Sequence, residues 1–413
     1  MAIVRPFSAL RPTSEYAENV ISLPYDVMNR DEALKMALGN PYSFLHICRS
    51  EIDLQSDVDA YADEVYLKAK ANIADFIARG VFNRDKKPMF YIYAQEMAGR
   101  VQTGLVATAS IDEYLNNTIK KHEFTRYEKE LDRIHHFDVC NANTEPVFLT
   151  YRDDAAIRAV LNGWISKYRP EVDIISVDGI RHILWPITDD AIIATLALLF
   201  EQVDALYIAD GHHRSASAVK VGLKRREEFP DYTGDEEFNY FMAVLFPDKD
   251  LRIFDYNRVI KDLNGLSIPE FLAAVSVKFT VEEVGVDVYT PSRKHEFAMY
   301  LADRWYRLSL IPSVVDESDI IKSLDVSILQ DCILAPVLGI GDPRKDKRID
   351  FVGGIRGLKE LEKRVHEDMA VAFALYPVAI EDLLSVSDQG MVMPPKSTWF
   401  EPKLGSGLFI HEL

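Results

Sequence analysis

Three short stretches of this chain gather side chains able to do chemistry. The densest is Asp210-Gly211-His212-His213-Arg214-Ser215: a carboxylate, a glycine, two imidazoles, a guanidinium and a hydroxyl in succession. At the start of a helix, such a turn brings free amides and the positive end of the helix dipole beside a rigid fork of donors, which suits a phosphate or carboxylate. The second stretch is Lys121-His122-Glu123. An ammonium, an imidazole and a carboxylate just ahead of a helix can tune a general base and neutralise an anionic substrate. The third is the tail over 393–408, where Lys396, Ser397 and Lys403 are threaded between prolines and aromatics; ordinary termini are simpler and fray. Asp26, after Leu23-Pro24-Tyr25, adds a carboxylate in a constrained loop. Each has a plainer alternative: a capped strand–helix connection, a solvated charged run, a packed final strand and a turn-forming aspartate.

The elements that must position these residues follow from periodicity. An apolar run over 205–209 predicts a buried strand and the small residues after Arg214 a packed helix, with Asp210 placed to cap and Gly211 placed to turn. Thr125 with Glu128 predicts a capping box and a helix over 126–136, on which Asp132 shares a face with His135 and His136. Asn29 predicts the start of a helix that Gly39 ends. Residues 89–94 and 103–109 read as a hairpin turning at Ala98-Gly99-Arg100. Helices over 57–80, 155–168 and 189–202 alternate with strands over 182–187 and 238–246, so the expected fold is α+β, a mixed sheet with covering helices. From about residue 265 the texture changes to a helix over 268–276, an antiparallel meander, and short helices and strands beyond 324. The expected division is therefore 1–265 as the binding core and 266–413 as a C-terminal α+β region whose tail returns to the site.

Composition bounds the partners. With 48% hydrophobic and 27% charged residues among 413, the chain reads as globular, no apolar run is long enough for a membrane span, and the stretch Met-Ala-Ile-Val-Arg-Pro-Phe does not read as a signal peptide. A net charge of −18 opposes sequence-independent nucleic-acid binding, which needs a cationic face. Cys48, Cys140 and Cys332 lack ligand spacing and suit a reducing cytoplasm; Cys140, near charged residues, is the one to watch for reactivity. A homo-oligomer is left open.

Far more of the chain resembles the family called domain of unknown function 1015, through Arg5-Pro6-Phe7, Leu23-Pro24-Tyr25-Asp26-Val27, Asn40-Pro41, Lys121-His122-Glu123, the Asp210 turn, and Pro395-Lys396-Ser397-Thr398 with Phe400, Pro402 and Lys403. Asp210 to Ala218 is also similar to the Gly-x-x-Arg box of the ParB/sulfiredoxin-like superfamily. That likeness implies a ParB/sulfiredoxin-like core elaborated by insertions, with phosphate or nucleotide held by Asp210, Gly211, His212, His213, Arg214 and Ser215, and with Lys121, Lys396 and Ser397 offsetting charge. It further implies phosphoryl transfer to or from a small hydroxylated metabolite, serine or phosphoserine foremost, with Glu123 or Asp26 as base and His122 and His213 assisting. Direction is open, and the implied cofactor is a nucleotide carried with Mg²⁺. Two other readings stand beside it. Asp210, His212, His213, His122 and His135 could form a metal-dependent phosphohydrolase site, although adjacent histidines rarely face one ion and metal ligation is not the expectation. A nucleotide-binding regulator without turnover is the third, and it lacks a basic DNA-reading region.

Overall fold

Val147–Tyr151, Leu206–Asp210 and Tyr240–Pro247 are apolar almost residue by residue, the pattern of strands covered on both faces. They form the middle of a nine-stranded mixed sheet. The computed structural model describes residues 2–413. In chain order the strands of this sheet are β1 (Val4–Arg5), β2 (Phe90–Met97), β3 (Arg100–Ser110), β4 (Ile119–Lys120), β5 (Val147–Tyr151), β6 (Val172–Ile175), β7 (Arg181–Ile187), β8 (Leu206–Asp210) and β9 (Tyr240–Pro247). They lie in the order β4-β8-β5-β9-β3-β2-β7-β6, with β1 pairing β3. The β2–β3 hairpin turns through Ala98 and Gly99, both at positive φ.

Five longer helices belong to this unit: α1 (Asp63–Ala78), α2 (Tyr127–Cys140), α3 (Ala155–Lys167), α4 (Asp190–Phe200) and α5 (His212–Glu228). The core between sheet and helices is built from Ile92, Leu105, Leu149, Ile208, Leu245 and their neighbours. The expected capping box at Thr125 does not form. Thr125 Oγ1 donates instead to Glu130 at 2.7 Å, and α2 begins after Arg126 without a side-chain cap. The box does form at Asn29, whose side chain accepts from Glu32 ahead of the helix Arg30–Ala37.

The chain divides after Leu251. Residues up to 251 and 402–413 make one unit, and Arg252–Glu401 the other. Tyr256–Ile260, ahead of residue 265, is already a strand of the second unit's sheet. That six-stranded sheet is antiparallel throughout. It is not a simple meander: Phe279–Gly285 pairs with Arg304–Leu310, on the side away from Glu296–Leu301. The tight turn at Ala302 and Asp303, both at positive φ, closes Glu296–Leu301 and Arg304–Leu310 into a hairpin, and Val371–Ala374 takes the other edge of Glu296–Leu301, which leaves Phe279–Gly285 the outer edge of Arg304–Leu310. The final segment belongs to the first unit, where His411–Glu412 pairs with Ala142–Asn143 and Ser22 bridges Ser406.

Candidate functional site

Topology brings the chemistry to one sheet end. β4 and β8 are parallel, with Ile119 opposite Leu206 and Lys120 opposite Tyr207. The residues that follow them, Lys121-His122-Glu123 and Gly211-His212-His213, therefore emerge side by side. β5 runs antiparallel to β8, with Asp210 opposite Phe148, so Glu145 and Pro146, just before β5, start from that same end.

Gly211 is required at the turn for two reasons. Its φ is 94°, and a Cβ there would meet Arg214 Nε at 3.1 Å; L side chains disfavour the first, and the second would crowd the packed arginine. Helix α5 starts with no side-chain cap, so the expected cap by Asp210 is absent. Asp210 has other partners, Arg214 Nη2 at 3.1 Å and Lys403 Nζ at 3.8 Å. Burial works to raise its pKa, but Lys403, Arg214 and the Gly211 amide outweigh that and hold the carboxyl below its ordinary range. Arg214, expected to offer its fork to a ligand, turns inward. Its side chain is 2% exposed, and Nη1 donates to the Pro146 carbonyl at 2.5 Å. Ser215 is fully buried, and its hydroxyl donates to the His212 carbonyl at 3.0 Å.

The histidines are neutral groups. His122 and His212 are buried and meet edge to face at 4.5 Å. Burial brings His122 down to about 4 despite Asp210 and a hydrogen bond with the Ile208 backbone. Burial, reinforced by the charges around His122, His213 and Lys121, takes His212 well below the usual imidazole range. His212 Nδ1 lies 3.8 Å from Glu123 Oε2, and the glutamate side chain is 45% exposed. His213 is half-buried, and its Nε2 accepts from the Arg126 amide at 2.9 Å. That bond leaves Nδ1 as the protonated nitrogen of the neutral ring. Burial lowers its pKa too, against the pull of Asp26. Lys121 folds back over the Tyr114 ring, Nζ 4.0 Å from the centroid, and burial lowers its pKa.

A second layer lies behind the turn. Glu145 is 1% exposed; it accepts from Ser406 Oγ at 2.7 Å and the Tyr25 amide at 3.3 Å, with Arg133 Nη1 3.7 Å away. Burial pushes its pKa up, opposed by Arg214 and Arg133. Asp26 sits exposed in the short turn Tyr25–Val27, where its charge acts on Arg214, His213, Tyr25 and Glu145. Glu145 and Arg133 were not singled out in the sequence. The only local signal was Glu145-Pro146 directly before an apolar strand.

Lys396 and Ser397 belong to the second unit. There the Lys396 ammonium lies 5.5 Å from the Tyr256 ring centroid, its carbonyl accepts from Arg258, and Ser397 donates to the Pro394 carbonyl at 2.6 Å. Lys403 is the tail lysine beside Asp210. Cys140, picked out for reactivity, is the reverse: burial pushes its thiol up to about 12, which leaves little thiolate. Among the described residues, no three His, Cys, Asp or Glu are grouped to hold a metal ion, and no helix is long and apolar enough to cross a membrane.

The family described as protein of unknown function (DUF1015) matches residues 4–327. The chain belongs to that family. The match spans Asp26, the 121–123 stretch and the Asp210 turn, and ends before the tail. No curated protein matches the chain. Among solved structures, it is similar to a mutant free serine kinase in complex with ADP, at 12% identity and TM-score 0.35 over 73% of this chain and 88% of that one. SbnI with a C-terminal truncation, from Staphylococcus aureus, gives 9% identity and TM-score 0.37 over 74% and 86%. A conserved hypothetical protein from Pyrococcus furiosus gives 13% and 0.32 over 75% and 95%. Superpositions this loose transfer neither fold nor activity to this family member.

Proposed function

We propose that the first unit is a phosphotransferase-type enzyme that moves a phosphoryl group to or from a small hydroxylated metabolite, with serine or phosphoserine the leading candidate. The observation that carries this reading is the convergence at one sheet end of an uncapped helix start at Gly211, the ammonium of Lys403 and the carboxylate of Glu123. The likeness of the Asp210 turn to the ParB/sulfiredoxin-like box supports it. An uncapped N-terminus on a long helix attracts a phosphate through its amides and dipole.

The residue roles follow from their surroundings. The amides at the start of α5 and Lys403 would hold the phosphates of a nucleotide carried with Mg²⁺, which would supply the phosphoryl group. Arg214 acts through Asp210: it fixes a carboxylate that in turn orients Lys403. His122 and His212 stay uncharged at neutral pH, so they present a fixed polar wall without competing for the proton that Glu123 must take. Glu123 is the first choice of base because it is a carboxylate, partly solvated and beside a neutral imidazole. Asp26 is the second.

Phosphate exchange between phosphoserine and a nucleoside diphosphate or water tests the assignment. Glu123→Gln keeps the shape and removes the base, so turnover should fall by about 10²–10⁴-fold while nucleotide binding persists. Full activity in that variant would transfer the role to Asp26. A wild-type protein inert towards serine and phosphoserine with every nucleotide would remove the substrate assignment.

A further inference from the structure

The strand β2 is buried on both faces over Phe90–Ala94 and Gln95, but the two faces differ. Phe90, Ile92 and Ala94 join the core between sheet and helices. Tyr91, Tyr93 and Gln95 alternate with them along the strand and end in hydrogen-bonding groups. Buried polar groups persist in a fold where something answers them, and here the tail does. The Phe409 ring lies 5.2 Å from that of Tyr91 and 6.3 Å from that of Tyr93. Gln95 Nε2 donates to the Lys403 carbonyl at 2.7 Å, and the Tyr93 hydroxyl accepts from the Gly405 amide at 3.3 Å.

Residues 403–405 belong to no strand, so these two side chains supply bonds that a sheet ladder would otherwise provide. Both are held in turn. Gln102, opposite Gln95 in the hairpin, donates Nε2 to Gln95 Oε1 at 3.0 Å, which turns the Gln95 amide with its donor towards the tail. The Tyr93 hydroxyl is tied to His182 Nδ1 at 2.6 Å. Packing is close as well: a Cβ on Gly405 would meet Ile21 Cδ1 at 2.6 Å and His182 Cε1 at 3.2 Å. The Lys403 ammonium, on a side chain 14% exposed, lies 3.8 Å from Asp210. A lysine stem is flexible, so a fixed backbone removes much of the freedom that would otherwise oppose that placement.

We propose that Gln95 is a positioning residue: it holds the backbone of Lys403 so that the ammonium stands at Asp210, ready for an anion at the Gly211 turn. The proposal rests on the phosphate reading of that turn for what the ammonium serves; the hold on Lys403 stands on the hydrogen bonds.

Two measurements test it. One is calorimetry with ADP on the wild type, Gln95→Met, Lys403→Met and the double variant. The other is acetylation of lysines by acetic anhydride without nucleotide, read by mass spectrometry. Gln95→Met keeps the length of the side chain and removes the donor. It should weaken ADP about threefold, the scale of one hydrogen bond, and should add nothing once Lys403 is methionine. A glutamine that merely steadied the sheet would cost as much in both backgrounds. Without nucleotide, Lys403 should be acetylated severalfold faster in Gln95→Met, with Lys121 of the same unit unchanged. Gln102→Leu removes only the donor that orients Gln95, and should give a milder form of both results should Gln95→Met not fold. A wild type that binds no ADP, with Lys403 acetylation still raised in the variant, would overturn the phosphate reading and leave the hold on Lys403 standing. Unchanged Lys403 acetylation in a folded variant, wild-type ADP affinity in Gln95→Met, or an equal loss with and without Lys403 would overturn the positioning role.

Discussion

Arg214 in the first unit and Arg258 in the second are equally buried, at 2% exposure, yet they are held in opposite ways. Arg214 faces Asp210 at 3.1 Å. Burial lowers its pKa, but Asp210, Asp26 and Glu145 more than restore it. Arg258 donates to the backbone carbonyls of Tyr256 and Lys396 and lies 5.4 Å from the Phe351 ring centroid; burial pulls it down to about 10. One arginine is a node in a network of charges gathered at a sheet end. The other ties one strand to the Lys396 segment by backbone contacts. A charge network in a protein interior is expensive to maintain, which sets the first unit's sheet end apart as the candidate site, whereas Arg258 is held by backbone carbonyls.

The largest expected effect tests that contrast directly. Arg214→Met takes the buried guanidinium from Asp210 and Glu145, leaves them the more distant Lys403 and Arg133, and should cost about 3 kcal/mol, the lower end of what breaking one side of a buried ion pair costs. Arg258→Met should cost far less. Burial has already pulled the Arg258 pKa down to about 10, so the folded state carries roughly 3 kcal/mol of penalty for that charge, which offsets the two carbonyl hydrogen bonds lost. Urea denaturation of both variants gives the comparison, and equal losses would erase it.

Acid sharpens it next. His122 and His182 are brought down from 6.5 to about 4, chiefly by burial, and both lie in the first unit. Between pH 6.5 and about 4 the unfolded chain takes up protons that these folded imidazoles refuse. Their contribution is therefore whole above 6.5, declines as pH falls, and levels off below about 4. Each is worth on the order of 3 kcal/mol over that window. His122→Asn should flatten the fall in stability between pH 6.5 and 4.5 in denaturant melts; an unchanged slope would mean that the ring is charged in the folded protein.

Much of this arrangement was legible in the sequence because its signals are local. The apolar run ending at Asp210, the hairpin at Gly99 and the cap at Asn29 each depend on neighbours a few residues away. What sequence could not show was direction and long-range partnership. Arg214 reads as an open fork, but its orientation is decided by the Pro146 carbonyl, 68 positions earlier. Glu145 looks like a loop residue until Ser406, 261 positions later, reaches it. The failed capping box at Thr125 has the same cause: Thr125 bonds Glu130, which is also drawn to Lys220 of α5, a competitor no local pattern reveals.

The smallest effect concerns the tail, and it asks which lysine serves the site. Lys403 lies 3.8 Å from Asp210 with its side chain 14% exposed, and it is the leading charge that lowers the Asp210 pKa. Lys403→Met should cost only about 1 kcal/mol of stability, because Arg214 remains to pair the carboxylate and a partly solvated ion pair is weak. The proposed role in binding is more sensitive, since a phosphate would lose its ammonium partner and face a less neutralised Asp210. Affinity for a nucleoside diphosphate, measured by calorimetry, should therefore fall about tenfold, the scale of one charged contact. Lys396→Met in the second unit should leave that affinity unchanged, because its ammonium packs over Tyr256. A loss from Lys396→Met as large as that from Lys403→Met would show that both lysines serve one anion, and would bear out the sequence expectation that the returning arm, Ser397 included, belongs to the site.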